Sequence, residues 1–160
     1  MKRGPLLILM LLVLAVGGRY IYGIANPPDD KALIKQALAD AVKASKEGRP
    51  GSVVDKLTEN FKINDMQPGI RQVAEYVKTN HPDVVIADTD PIVSGDTAQI
   101  TSDVSVKVSL LGADRSFTFK DTVMQFKKES AMDWIIFPAT RWRLSAARVP
   151  AEDISGILGP

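Results

Sequence analysis

Apolar and polar residues follow two different rhythms along this chain, and the rhythm changes at Asp83. From Lys31 to Glu47 the positions Ile34, Leu38, Ala41, Val42 and Ser45 repeat with a helical period, widened by Leu33 and Ala37. Asn26-Pro27-Pro28-Asp29-Asp30 precedes this helix as a hinge, and Asp29 or Asp30 can cap it. Gly48-Arg49-Pro50-Gly51 stops it. Ser52 then caps a shorter helix through Phe61, with Val53, Val54, Leu57 and Phe61 turned inward. After an Asn64-to-Gly69 loop, a third helix runs to about Thr79 and buries Ile70, Val73, Ala74 and Val77. His81-Pro82 ends it, because proline disfavours helix in the residue before it.

Beyond Asp83 the segments Val84–Ala87, Thr97–Leu110, Phe117–Lys128 and Arg141–Val149 are rich in Val, Ile, Thr and aromatic residues, which predicts strands. The second alternates most cleanly. Ala98, Ile100, Val104, Val106, Val108 and Leu110 share one face, while Thr101, Asp103, Ser105, Lys107 and Ser109 fall on the other. Ser94-Gly95-Asp96 and Gly112-Ala113-Asp114 read as turns between antiparallel neighbours. Helices first and strands afterwards predict an α+β fold, with three N-terminal helices packed on a curved antiparallel sheet.

The first 25 residues obey neither rhythm. Leu6 to Val16 is a run of eleven apolar residues behind Lys2-Arg3, followed by Gly17-Gly18-Arg19 and the Tyr20–Ala25 stretch. As a membrane anchor it extends from Pro5 to Ala25, near the ~20 residues that cross a bilayer core. Tyr20 and Tyr22 then sit where interfacial aromatics are favoured. As a secretory signal it has the basic start, the apolar centre and small residues beyond. We read it as a single-pass anchor with the remainder extracytoplasmic, and secretion after cleavage as the alternative. The chain thus divides into a transmembrane or signal segment (1–25), a linker (26–30), a folded domain (31–149) and a C-terminal tail (150–160).

Several segments of the domain carry a resemblance. They are the opening helix with Ile34-Lys35-Gln36-Ala37-Leu38, the run Val53-Val54-Asp55-Lys56-Leu57-Thr58-Glu59-Asn60-Phe61, the stretch Val93-Ser94-Gly95-Asp96-Thr97-Ala98 and the late Arg141-Trp142-Arg143-Leu144. Together they resemble the nuclear-transport-factor-2-like superfamily, with its cystatin-like cone of curved sheet wrapped around helices. The resemblance implies that fold for about residues 30–149. Because that superfamily holds isomerases, dehydratases, cyclases, transport adaptors and secretion-system subunits, it does not choose an activity. Catalytic members place a carboxylate, often with His or Tyr, inside the cone.

Charge sharpens the picture. The 20 Lys and Arg residues exceed the 19 Asp and Glu by one, but Lys2, Arg3 and Arg19 precede Asn26, which leaves 17 basic against 19 acidic beyond it. A mildly acidic domain offers no electrostatic reason for nucleic acid as partner. With no Cys and one His, the chain cannot form a disulfide, a thiolate nucleophile or a His-rich zinc site. Asp88 and Asp90 faintly suggest a carboxylate metal site and read better as a solvated strand end. His81 reads as an exposed residue at a helix exit. No cofactor or metal is implied, and no phosphate loop, dinucleotide fingerprint or nucleophile elbow is present.

The one motivated catalytic carboxylate is Asp121, whose parity with Phe117, Phe119 and Val123 puts it on the concave side. A β-bulge there would instead turn it to water, as the apolar Met124 and Phe126 suggest. Tyr76, Asp103 and Trp142 could line the same cavity, although Trp142 also suits simple core. Two surfaces point to binding. Trp134-Ile135-Ile136-Phe137-Pro138 is either an exposed interaction patch, formed by Trp134, Ile135 and Phe137, or a buried extension of the sheet. Lys127, Lys128, Arg141, Arg143 and Arg148 form either a basic strip or a solvated face balanced by Glu129 and Asp133. The reading that follows is a non-catalytic, membrane-tethered binding or assembly module, with a protein partner, a second copy or a small apolar ligand. Its alternative is an isomerase or dehydratase using a pocket carboxylate.

Overall fold

A computed structural model describes residues 29–110, 113–133 and 137–150. The anchor or signal segment and most of the C-terminal tail therefore lie outside the described residues. Helix α1 spans Asp30–Lys46; the Asp29 carboxylate caps it by accepting from Lys31 N–H at 3.2 Å. Ile34, Leu38, Ala44 and Ser45 make its buried stripe. Gly48 ends the turn that follows with φ of +63°, a left-handed conformation that favours glycine.

The second helix differs from expectation. Helix α2 covers only Pro50–Val54, and the next segment, Leu57–Ile63, is strand β1. Leu57 and Phe61, both buried, are four residues apart. Four residues return a side chain to the same face in a helix and in a strand alike, so their spacing could not separate the two. Backbone pairing decided it: β1 runs parallel to the last strand of the chain, with Leu57 opposite Leu144. The sheet is consequently mixed rather than purely antiparallel. A tight turn through Asn64 and Asp65, both at positive φ, leads from β1 to helix α3, Ile70–Asn80.

Strands β2 (Asp83–Ile86), β3 (Ile92–Ser94), β4 (Thr97–Leu110), β5 (Ala113–Asp133) and β6 (Phe137–Arg148) complete a six-stranded sheet in the order β1-β6-β5-β4-β2. Strand β3 shares the β2 edge of β4. Gly95-Asp96 forms the expected turn, whereas Ala113 and Asp114 already belong to β5, opposite Leu110 and Ser109.

Two bulges bend the long strands. Between the pairs Ser102↔Thr122 and Val104↔Phe119, Lys120 and Asp121 together face the single residue Asp103. Between Gln125↔Ala146 and Phe126↔Leu144, Ser145 is the extra residue, and its hydroxyl donates to Gln125 C=O at 3.0 Å. Helix α1 packs on the sheet over a core of Ile34, Leu38, Ala98, Ile100, Val104, Met124, Phe126 and Trp142. Burying a side chain such as Ile100, 1% exposed, stabilises by about 1.5–3 kcal/mol. Among the described residues no helix is long and apolar enough to cross a membrane.

Candidate functional site

Where α1 meets β6, three elements leave a cleft of about 430 Å³. Leu33 and Ala37 of α1 form one wall, Thr140 to Arg143 of β6 the other, and Asp55-Lys56 closes one end. Beside it lies a partly buried clasp. Asp30, the first residue of α1, accepts from Trp142 Nε1–H at 2.9 Å and from Lys128 Nζ at 3.0 Å. The Lys128 ammonium also lies 5.7 Å from the Trp142 ring centroid, within cation–π range. The Trp142 hydrogen bond holds the Asp30 carboxyl below the usual carboxylate range, opposed by burial and helped by Lys128.

Around the mouth of this cleft three cations face three carboxylates, but Arg141 is held only at long range. Arg143 contacts Glu129 Oε2 at 3.2 Å and Asp55 Oδ1 at 3.5 Å, while Arg141 reaches the same Asp55 oxygen at 3.9 Å. Lys56 pairs with Asp40 at 3.5 Å. The Arg143 Nε–H is buried and donates to no acceptor among the described residues. Two guanidinium groups thus share one carboxylate oxygen at distances longer than the ~2.7–2.9 Å of a strong charge-assisted bond.

A larger, shallower cleft of about 640 Å³ lies at the far end, between the end of α3 and the β4–β5 strands. His81, Asp83, Lys107, Asp114 and Arg115 line it. Asp83 is engaged by Lys46 at 2.8 Å, and Asp114 accepts from the Ser109 hydroxyl. His81 is exposed and caps α3 in a left-handed conformation, φ +44°, as its place at a helix exit suggested.

The structure separates the residues singled out from sequence. Asp121 is exposed on the bulge at φ +48°, its backbone N–H donating to Asp103 Oδ1 at 3.0 Å. Of the two readings of Asp121, the interior one is corrected and the β-bulge is found: the extra residue switches parity, and Thr122, Met124 and Phe126 are buried instead. Asp103 is exposed beside it, and Tyr76 is 48% exposed on α3. None of these three lines either cleft. Trp142, 2% exposed, is core and also lines the α1–β6 cleft. Trp134 and Ile135 lie outside the described residues; Phe137 is in β6 opposite Asp133, and its side chain is likewise outside.

Four of the five residues of the basic strip stand in ion pairs, and Lys127 is exposed without one among the described residues. Besides Lys128, Arg141 and Arg143, Arg148 pairs with Asp65 at 3.6 Å. Asp90 meets Lys35 at 2.7 Å and Lys31 at 3.8 Å, so its carboxylate ties the β2–β3 connection to α1. Asp30 and Asp55, the acids that organise the α1–β6 cleft, carry no local signal. Their cationic partners, Lys128 for Asp30 and Arg141 and Arg143 for Asp55, are 86 to 98 residues away.

No protein-family model matches the chain, and no curated protein does. Solved structures do. An NTF2-like protein from Cytophaga hutchinsonii superposes with a TM-score of 0.58 at 15% identity, covering 78% of this chain and 99% of that one. The fold is nuclear-transport-factor-2-like. A second NTF2-like protein, with a cystatin-like fold, from Novosphingobium aromaticivorans gives 0.54 at 14% identity over 94% and 97% of the two chains. The CaMKII hub of S. rosetta gives 0.58 at 13% identity over 78% and 98%. At such identities the likeness speaks for the NTF2-like fold alone, which serves enzymes and binding modules both.

Proposed function

We propose that this NTF2-like chain is a non-catalytic binding or assembly module, held at a membrane by its N-terminal segment with the domain on the extracytoplasmic side. One observation carries the non-catalytic reading. Asp121, the carboxylate offered for an interior pocket, stands in water, and the buried face between α1 and the sheet is filled by apolar side chains. General acid–base chemistry of the isomerase type needs a carboxylate in an enclosed apolar site. The carboxylates nearest the α1–β6 cleft are instead engaged by cations, which suits recognition. The tether is supported by the Leu6–Val16 run behind Lys2-Arg3 and by the short linker 26–30 that follows in the sequence.

The test uses the full chain in intact cells. Membrane fractions resistant to carbonate extraction should retain it, and mild solubilisation should release it with a stoichiometric partner or a second copy. A soluble product lacking about the first 25 residues would overturn the tether. A monomer from the membrane that turns over a small carbonyl substrate, with activity lost in Asp121→Asn, would overturn the non-catalytic reading.

A further inference from the structure

The α1–β6 cleft holds a second recognition surface, the open edge of β6. Leu144 N–H donates to Lys56 C=O at 2.8 Å, so that peptide faces away from β5. Alternate residues of a strand direct their backbone groups to the same edge, so the N–H and C=O of Trp142 and Thr140 face that way as well. The opposite strand agrees: Lys128 stands across from Trp142, and its N–H donates to Asp96 C=O, on the β4 side. The pairing of β1 with β6 begins at Leu57↔Leu144, and upstream the chain turns away at Asp55-Lys56. Among the described residues no strand covers the edge from Thr140 to Trp142.

We propose that this edge takes an extended peptide segment of a protein partner that carries a carboxylate side chain, seated between Arg141 and Arg143. The proposal rests on the binding-module reading and names the partner's chemistry. Strand addition supplies main-chain hydrogen bonds, and flanking side chains supply selectivity. Here the selectivity is for negative charge. Arg143 is held by Glu129 at 3.2 Å and Asp55 at 3.5 Å, whereas the half-exposed Arg141 has only the same Asp55 oxygen, at 3.9 Å. An incoming carboxylate brings two acceptor oxygens to the exposed Arg141 guanidinium, at the short distance that Asp55 does not supply. Leu33 and Ala37 across the cleft offer an apolar wall to the neighbouring side chain of the peptide. At about 430 Å³ the cleft has the size of an ordinary ligand site. The Asp30–Trp142 clasp holds the edge ready, so little ordering is needed on binding.

The experiment measures fluorescence anisotropy of the detergent-solubilised full-length protein with a short labelled peptide of alternating Thr and Val around one Glu. The Glu peptide should bind at least about tenfold more tightly than its Gln counterpart. N-methylation of alternate backbone amides should abolish binding, and the double substitution Arg141→Gln with Arg143→Gln should remove the preference for Glu while circular dichroism stays unchanged. Equal affinity for both peptides, a preference that survives the double substitution, or no saturation up to ~1 mM would overturn the proposal. So would succinate alone competing as strongly as the peptide, which would make the cleft a small-carboxylate site. If Arg141 and Arg143 merely guard an exposed edge against pairing, the double substitution strengthens binding of both peptides, and this too overturns it. A partner trapped in cells by a photocrosslinker at Ile92, on the opposite sheet edge, with none trapped at Thr140, would defeat this inference and leave the binding-module reading standing.

Discussion

Gly48 is the residue whose identity the structure constrains most tightly. Its φ of +63° disfavours any side chain, and a Cβ there would come within 2.4 Å of the His81 ring. Gly48→Ala should therefore cost about 1–3 kcal/mol in urea unfolding. Gly51→Ala, in α2 with open space around it, should be neutral or slightly stabilising in the same assay. The clasp gives a second expectation at this scale. Asp30 releases its proton more readily in the folded state than in the unfolded chain. Its contribution to stability is complete above the ordinary carboxylate range and is lost as pH falls through the lowered folded-state value. Asp30→Asn should cost about 1–2 kcal/mol at neutral pH and flatten the acid limb of the stability curve. An unchanged acid limb in the variant would show that the clasp does not drive it.

Among the elements, β5 shows how one residue re-aims a strand. Without the bulge, the parity of Phe117 and Phe119 would continue through Asp121 and Val123, and Thr122, Met124 and Phe126 would face solvent. The bulge exchanges those two sets, and it is built on an aspartate at positive φ, a conformation glycine adopts at no steric cost. Asp121→Gly should keep the fold and change stability by no more than a gain of about 1 kcal/mol. Deleting Asp121 should collapse the cooperative unfolding transition, because it forces a slip that flips every side chain beyond it. Strand β1 makes a related point. Its apolar pair, Leu57 and Phe61, fits helix and strand equally, and its partner Leu144 lies far along the chain. Local pattern cannot decide between two periods that coincide at four residues. Phe61→Ala should cost about 3–5 kcal/mol, as expected for a buried aromatic anchoring an edge strand.

For the whole molecule, stability rests on buried apolar side chains, above all the core between α1 and the sheet, since no cysteine is available for a disulfide. Ile100→Ala, at its centre, should cost about 2–5 kcal/mol and lower the thermal midpoint accordingly, a loss readable by calorimetry. In the proposed binding role, the filled core leaves the clefts and edges as the places for a ligand. The charges around the α1–β6 cleft come from α1, the α2–β1 turn, β5 and β6 at once, so the constellation exists only in the assembled fold.

The alternation of β4, the helical stripe of α1, the glycine and proline stops and the change of rhythm at Asp83 are local, period-bearing signals. By themselves they determined an α+β chain and the positions of most of its elements. The basic residues Arg141, Arg143 and Lys128 were legible as a cluster for the same reason: they are neighbours in sequence or across one hairpin. The tertiary structure alone decided the rest. Asp30 and Asp55 became partners of that cluster through contacts spanning 86 to 98 residues, a distance over which composition and period carry no information. Leu57–Ile63 became a strand because β6 had an edge to pair with, and Asp121 turned outward because the β4–β5 register placed two residues opposite one. Each of these outcomes depends on backbone hydrogen bonds between distant segments, which no local pattern encodes.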